Sequence, residues 1–324
     1  MLTVTDSDTT VSRLTTSERE GEFLAWADRL HMGRVTPTAD ITQFSADRAD
    51  VYRSFGWDED LAIKEDFNLR NSALQEALEA KEEVRLLFGR SLGDQLKLAQ
   101  LCFWLSLSDT DCLDRVFLKV GQNDDDLLRD EGFEKPSVEE LESYRSFWIA
   151  FASKDPRFLL GTLKSSNAVL AKAAERLLQE YPSSENGLSL AEAQILDAVA
   201  LGISRPQELF DAFQETEENP YLLNWDFWAY LDRLCVRKSP LIECANGDDF
   251  LCPPKDLAWD DFYAQQLRLT VDGKNVLEGK TSYTELHFGE RWVGGCLLKR
   301  ESVWYWDYAS KTLVRELCVP ELTR

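Results

Sequence analysis

The chain has 324 residues, 44% of them hydrophobic and 11% aromatic, which is enough apolar material for two packed domains and excludes a globally disordered protein. Its 58 acidic residues stand against 36 basic ones, for a formal net charge of -22. Nucleic-acid affinity comes largely from Lys and Arg displacing counterions, so nucleic acid is a disfavoured partner unless the fold gathers a basic face.

In chain order, "LTVT" at 2–5 is short and β-branched and predicts a strand, followed by a polar turn and a short helix over 9–20. "EFLAW" at 22–26 predicts a second strand, and apolar residues at helical spacing fill 46–57 and 66–80. "EVRLLF" at 83–88 is a third strand, with Asp94 as the expected N-cap of the helix that follows, and "RVFLKV" at 115–120 is a fourth. Strands alternating with helices imply a parallel, Rossmann-like sheet of about four strands, an α/β domain over residues 1–125. The run 126–185 reads as an acidic linker and a helical layer. Asp124–Asp126 lack the alternating ligands and central glycine of a calcium loop.

From 186 to 324 the order changes. Ser189 and Glu192 have capping-box spacing at the head of one helix, Pro206 sits in the first turn of another, and "PYLLNWDFWAYLDRLC" is a third. A short strand at 240–244 and a hairpin over 291–314 follow, so this α+β half has the element order of a winged helix. Its third helix carries Asp226 and Asp232 among Trp225, Phe227, Trp228 and Tyr230, a composition for packing or for a protein partner at Trp225, Trp228 and Tyr230 rather than for DNA.

Seven cysteines without a CxxC pair predict reduced thiols rather than a disulfide framework or a zinc site. The first ten residues have neither a basic nor an apolar signal region, and no stretch approaches a membrane span, so a soluble, cytoplasmic protein without membrane contact is expected.

Specific residues are similar to a bacterial family. Asp6, Ser7, Asp8 and Thr9 match a strand ending in Asn-Gly-Asp-Ser; Trp26, Asp28, Leu30, His31 and Gly33 match a Trp-x-Asp-x-Leu-His-x-Gly-Pro segment with Arg34 in place of the proline. Arg90, Ser91, Leu92, Asp94, Gln95 and Leu96 partly match His-Asp-Leu-x-Asp-Gln-Leu. Together with "GLSLAEAQIL", "PQELF" and "RWVGG", these resemble the family called domain of unknown function 1835 and its companion C-terminal domain. That resemblance implies an architecture and no reaction.

In an open parallel sheet ligands bind beyond the carboxyl ends of the strands. The residues there are Asp8 and Thr9 after the first strand, Asp28 and His31 after the second, and Arg90, Ser91, Asp94 and Gln95 after the third. Arg90 suits a carboxylate or phosphate, and His31 exchanges protons near neutral pH, so the expected ligand is small and polar or phosphorylated, a nucleotide among the choices. Each residue also has a structural reading: Asp8 and Asp94 as caps, Gly33 and Gly89 as turn formers, His31 as part of a turn. No cofactor is indicated, and two separated histidines give no metal site.

The alternatives are an acidic interaction module using the Trp-rich helix, a hydrolase, and a DNA-binding regulator. The hydrolase reading rests on likeness to the nucleophile turn and Asp-x-x-His pair of lipase-like esterases. Chain order opposes it, and Thr9 stands at the nucleophile position.

Overall fold

The computed structural model describes residues 1–17, 19–57, 62–108, 113–235, 238–253, 259–287 and 289–315. The chain divides into two compact units, one of Met1–Glu175 with Gly294–Cys296, the other of Arg176–Val293 with the residues from Leu297 onward. The division falls at 175/176, so most of the helical layer expected over 126–185 belongs to the first unit.

In the first unit β1 (Leu2–Thr5), β2 (Glu22–Ala25), β3 (Val84–Phe88) and β4 (Val116–Val120) form a parallel sheet in the order β2-β1-β3-β4. All four residues of β1 are buried, as a central parallel strand covered on both faces requires, whereas the edge strand β2 is partly exposed. Thr5 lies opposite both Ala25 and Leu87, and Leu87 opposite Lys119, so the four carboxyl ends lie level along one edge.

Four of the unit's helices start at a side-chain cap. Ser7 caps α1 (Asp8–Thr16), Asp40 caps α2 (Ile41–Ser54), Ser91 caps α4 (Leu92–Leu105) and Ser137 caps α5 (Val138–Ala152), each side chain accepting from the first-turn backbone, while α3 (Ile63–Glu79) has no side-chain cap. Ser91 thus displaces Asp94 as the cap, because Asp94 stands three residues later and supplies the N–H that Ser91 Oγ accepts, at 3.1 Å. Likewise Ser7 and not Asp8 is the cap of α1. The core is aromatic: Trp104 meets Trp26 and Phe44 edge-on at 5.8 and 5.3 Å, and Trp148 meets Phe44 at 5.7 Å. Asp124–Leu127 form one helical turn in which Asp126 accepts from the Gln122 N–H at 2.9 Å and lies 3.5 Å from Lys119. Among the described residues no group of three or more His, Cys, Asp or Glu could hold a metal ion.

The second unit opens with α7 (Leu190–Ala200), α8 (Pro206–Thr216) and α9 (Asn224–Cys235), reached from α6 (Ala168–Leu178), and small antiparallel pairs follow, the first of β5 (Ile242–Cys244) with β6 (Leu267–Leu269). Ser189 and Glu192 form the predicted capping box. The segment 291–314 makes two strand pairs rather than one hairpin: β7 (Arg291–Val293) with β8 (Cys296–Leu298), and β9 (Tyr305–Asp307) with β10 (Thr312–Val314). Trp228 and Tyr230 do not offer themselves to a partner as expected: both are buried, Trp228 packing 4.8 Å from Phe262 and Tyr230 donating its hydroxyl to Glu180 Oε2 at 2.6 Å. A helix that buries Phe227, Trp228, Tyr230 and Leu231 spends its aromatic surface on its own core.

Charge is buried there as well. Glu192 accepts from Arg233 Nε and Arg291 Nη1, both at 3.0 Å, and Glu180 accepts from Arg176, Tyr221 and Tyr230 at 2.6–2.7 Å. The five cysteines among the described residues, Cys102, Cys235, Cys244, Cys252 and Cys296, are buried free thiols; Cys112 and Cys318 lie outside those residues. No described helix is long and apolar enough to cross a membrane.

Candidate functional site

The chain builds β2 on one side of β1 and then β3 and β4 on the other, so the strand order reverses between β1 and β3. Loops leaving two such strands diverge, which opens a crevice at their carboxyl ends. The loop after β1 brings Asp6 and Ser7 to those ends, the loop after β3 brings Gly89 and Ser91, and the first turn of α4 brings Asp94.

Asp94 is the centre of this arrangement. Its carboxylate lies 3.9 Å from Lys97 Nζ, one turn along α4, and Lys97 donates to the Asp6 carbonyl at 3.2 Å, tying the two loops together. Burial pushes the Asp94 carboxyl above the usual carboxylate range; Lys97 opposes the shift and Asp6 reinforces it. A Cβ at Gly89 would stand 2.6 Å from Asp94 Oδ2, so a side chain there would push the carboxylate aside. A carboxyl that keeps its proton more readily than usual, beside an ammonium, can exchange a proton with a bound polar group.

The other expected residues divide into two sets. Asp8, Thr9 and Arg90 are exposed at the same edge, on the first turn of α1 and just ahead of α4. Gln95 is fully buried, donating to the Gly89 carbonyl at 2.6 Å and accepting from Tyr144 at 3.2 Å, so it braces the β3 loop from behind. Asp28 is held inside by Arg48, whose Nε and Nη2 reach its carboxylate at 2.9–3.2 Å, with Tyr52 Oη 3.5 Å away. Arg48 also donates to the carbonyls of Arg29, Met32 and Arg34, so this pair shapes the loop carrying His31. His31 is half-buried with both ring nitrogens shielded from solvent, and Gly33 turns the chain at φ +71° against Val51. The β2 loop is therefore an internally braced structure beside the crevice.

The residues that sequence reasoning missed are Lys97, Arg48 and Arg70. Lys97 was signalled by its place three residues after Asp94. Arg48 stands between Phe44 and Tyr52 at i+4 steps, and Arg70 between Phe67 and Leu74, so each arginine occupies a position of an otherwise apolar stripe.

A cleft of about 420 Å³ opens at the far edge of the same unit, lined by Val120 at the end of β4, Ser137, Glu139, Glu140 and Ser143 of α5, and Ser166, Asn167 and Val169. Asn167 donates to Tyr144 Oη at 3.3 Å, which links this cleft to Gln95 and the β3 loop.

No protein-family model matches the chain, and no curated protein matches it.

Proposed function

We propose that the first unit is a Rossmann-like domain that binds a small polar or phosphorylated ligand in the crevice between the β1 and β3 loops. The observation that carries this reading is the reversal of strand order between β1 and β3, with Asp6, Asp94 and Lys97 meeting at that point. Asp94 and Lys97 are the polar centre, Ser7 and Ser91 present helix starts, and Arg90, Asp8 and Thr9 lie outside them to meet the ligand. Kinship with the domain of unknown function 1835 family belongs to the same proposal, as does a winged-helix-like second unit, which the succession of three helices and antiparallel pairs supports. A second reading, contact with a protein partner, is favoured at one place: Trp225 packs 5.4 Å from Trp259, which is 41% exposed, near Leu223 at 57%.

The test is a thermal-shift panel of nucleotides and polar metabolites on the parent, Asp94→Asn and Arg90→Ala. A compound bound in the crevice raises the parent's Tm, by about 3 °C at ten times its Kd, and raises those of the variants by less than half as much. A compound that shifts all three equally sinks the assignment.

Acid titration supplies an independent check on Asp94. Because its pKa is raised on folding, ionising it costs stability; the cost is absent below the unfolded value near 3.8 and appears as pH rises through the folded value. The Tm of Asp94→Asn relative to the parent should therefore increase from pH 4 toward pH 7. A difference that stays flat would show that the carboxyl is ordinary.

A further inference from the structure

Arg70 lies on the buried stripe of α3 and is 5% exposed. Its guanidinium carbon stands 4.0 Å from the centre of the Trp26 ring and 4.6 Å from that of Phe67, and its Nη1 donates to the Ala27 carbonyl at 3.2 Å. Nε and Nη2 are shut off from solvent and have no hydrogen-bond partner among the described residues. Those two nitrogens form one edge of the guanidinium plane, the edge that meets two oxygens of a carboxylate or phosphate side by side.

Arg48 shows the same edge in use, since its Nε and Nη2 are the atoms that grip Asp28. Asp28 is also the carboxylate whose charge acts on Arg70, and it is already engaged by Arg48. Among the described residues two guanidinium groups thus face one carboxylate, which leaves one positive charge in excess. Burial pulls the Arg70 pKa down to about 10, so the group still carries its charge at neutral pH. The ring faces of Trp26 and Phe67 favour the cation, but they do not supply acceptors for its N–H edge.

We propose that this edge of Arg70 is an oxyanion-binding site at the carboxyl end of β2. It takes an organic carboxylate or a phosphate group through two oxygens, one on Nε and one on Nη2, and the bound anion neutralises the surplus charge. The edge is closed off from bulk water, so an arriving anion must shed its hydration, and two-point recognition then selects oxyanions over chloride. This site goes beyond the β1–β3 crevice and does not depend on it.

The experiment follows the arginine Nε–H signals of the full chain by proton–nitrogen NMR during titration with acetate or with inorganic phosphate, at constant ionic strength set by chloride. The Arg70 signal is the one missing from Arg70→Lys. It should move saturably with at least one probe, and the probe that acts at the lower concentration tells carboxylate from phosphate. The parent's Tm should rise by about 3 °C at ten times the Kd, while Arg70→Met, which keeps the bulk and loses the charge, shows no rise. In Asp94→Asn the Arg70 signal should move over the same probe concentrations as in the parent, whatever the crevice does, which separates this site from the crevice. An Arg70 signal unmoved by both probes overturns the proposal, and that readout stands even if Arg70→Met fails to fold. An equal Tm rise in the parent and Arg70→Met also overturns it, marking an adventitious ion bound elsewhere.

Discussion

Glu192→Ala is expected to lower the stability of the second unit by about 3–5 kcal/mol, seen as a large drop in the denaturant midpoint. Glu192 is completely buried, and its Oε1 accepts from both Arg233 and Arg291 at 3.0 Å while its Oε2 accepts from the Ser189 N–H at 2.8 Å. Truncation leaves two guanidinium groups facing a lost counter-charge and removes half of the capping box of α7. The penalty is that of unpaired buried charge, which exceeds what the ion pair contributes in itself. An exposed pair makes the contrast: Glu142 and Arg145 on α5 have side chains 56% and 38% exposed, and Glu142→Ala should cost no more than about 0.5 kcal/mol. Similar losses from both substitutions would contradict this account.

The same network predicts the response to acid. Burial alone would push the carboxyls of Glu180 and Glu192 upward, but Arg176, Arg233 and Arg291 with their hydrogen-bonding neighbours outweigh it, and both end below the usual range. A carboxyl depressed on folding contributes stability that is fully present above its unfolded value near 4.5 and is lost as pH falls through the folded value. Acid unfolding of the parent should therefore steepen below about pH 4.5. Glu192→Gln, which cannot ionise, should show a shallower loss over the same window.

The four strands of the first unit were legible because each is a short β-branched or aliphatic run between turn formers, and a parallel sheet buried on both faces leaves that signature. The capping box at Ser189 was legible for the same reason, since its chemistry is local. What the sequence could not show is which way a polar side chain turns when its partner is distant in the chain. Asp28 and Asp94 follow the strands on either side of β1, and nothing adjacent to them in sequence tells that Asp28 faces Arg48, twenty residues on, while Asp94 is tied through Lys97 to the β1 loop. Trp228 and Tyr230 misled for a related reason: an aromatic helix with two aspartates resembles a contact surface until Asp226 is seen capping from inside, accepting from the Leu223 N–H at 2.9 Å. The informative signal was instead a charge placed on an apolar stripe, as at Arg48 and Arg70.

Asp28→Asn decides whether the β2 loop is scaffold or ligand site. Both partners of the Asp28–Arg48 pair are essentially inaccessible, with side chains 0% and 1% exposed, so loss of the carboxylate charge leaves a buried guanidinium bound to three carbonyls and no anion. The expected cost is about 3–5 kcal/mol, and Arg48→Met should cost about as much by taking from Asp28 the guanidinium that grips it. Replacing both should cost clearly less than the two single losses added together, a coupling of at least about 2 kcal/mol, because the second change removes the charge stranded by the first. A ligand-binding role predicts the opposite pattern: Asp28→Asn would keep nearly the parent's stability, show no coupling to Arg48, and fail to respond to a compound that stabilises the parent. Burial, bidentate geometry and the bracing of the Arg29, Met32 and Arg34 carbonyls favour the first outcome, in which Asp28 holds the end of β2 in shape and the binding proposed above rests on other side chains.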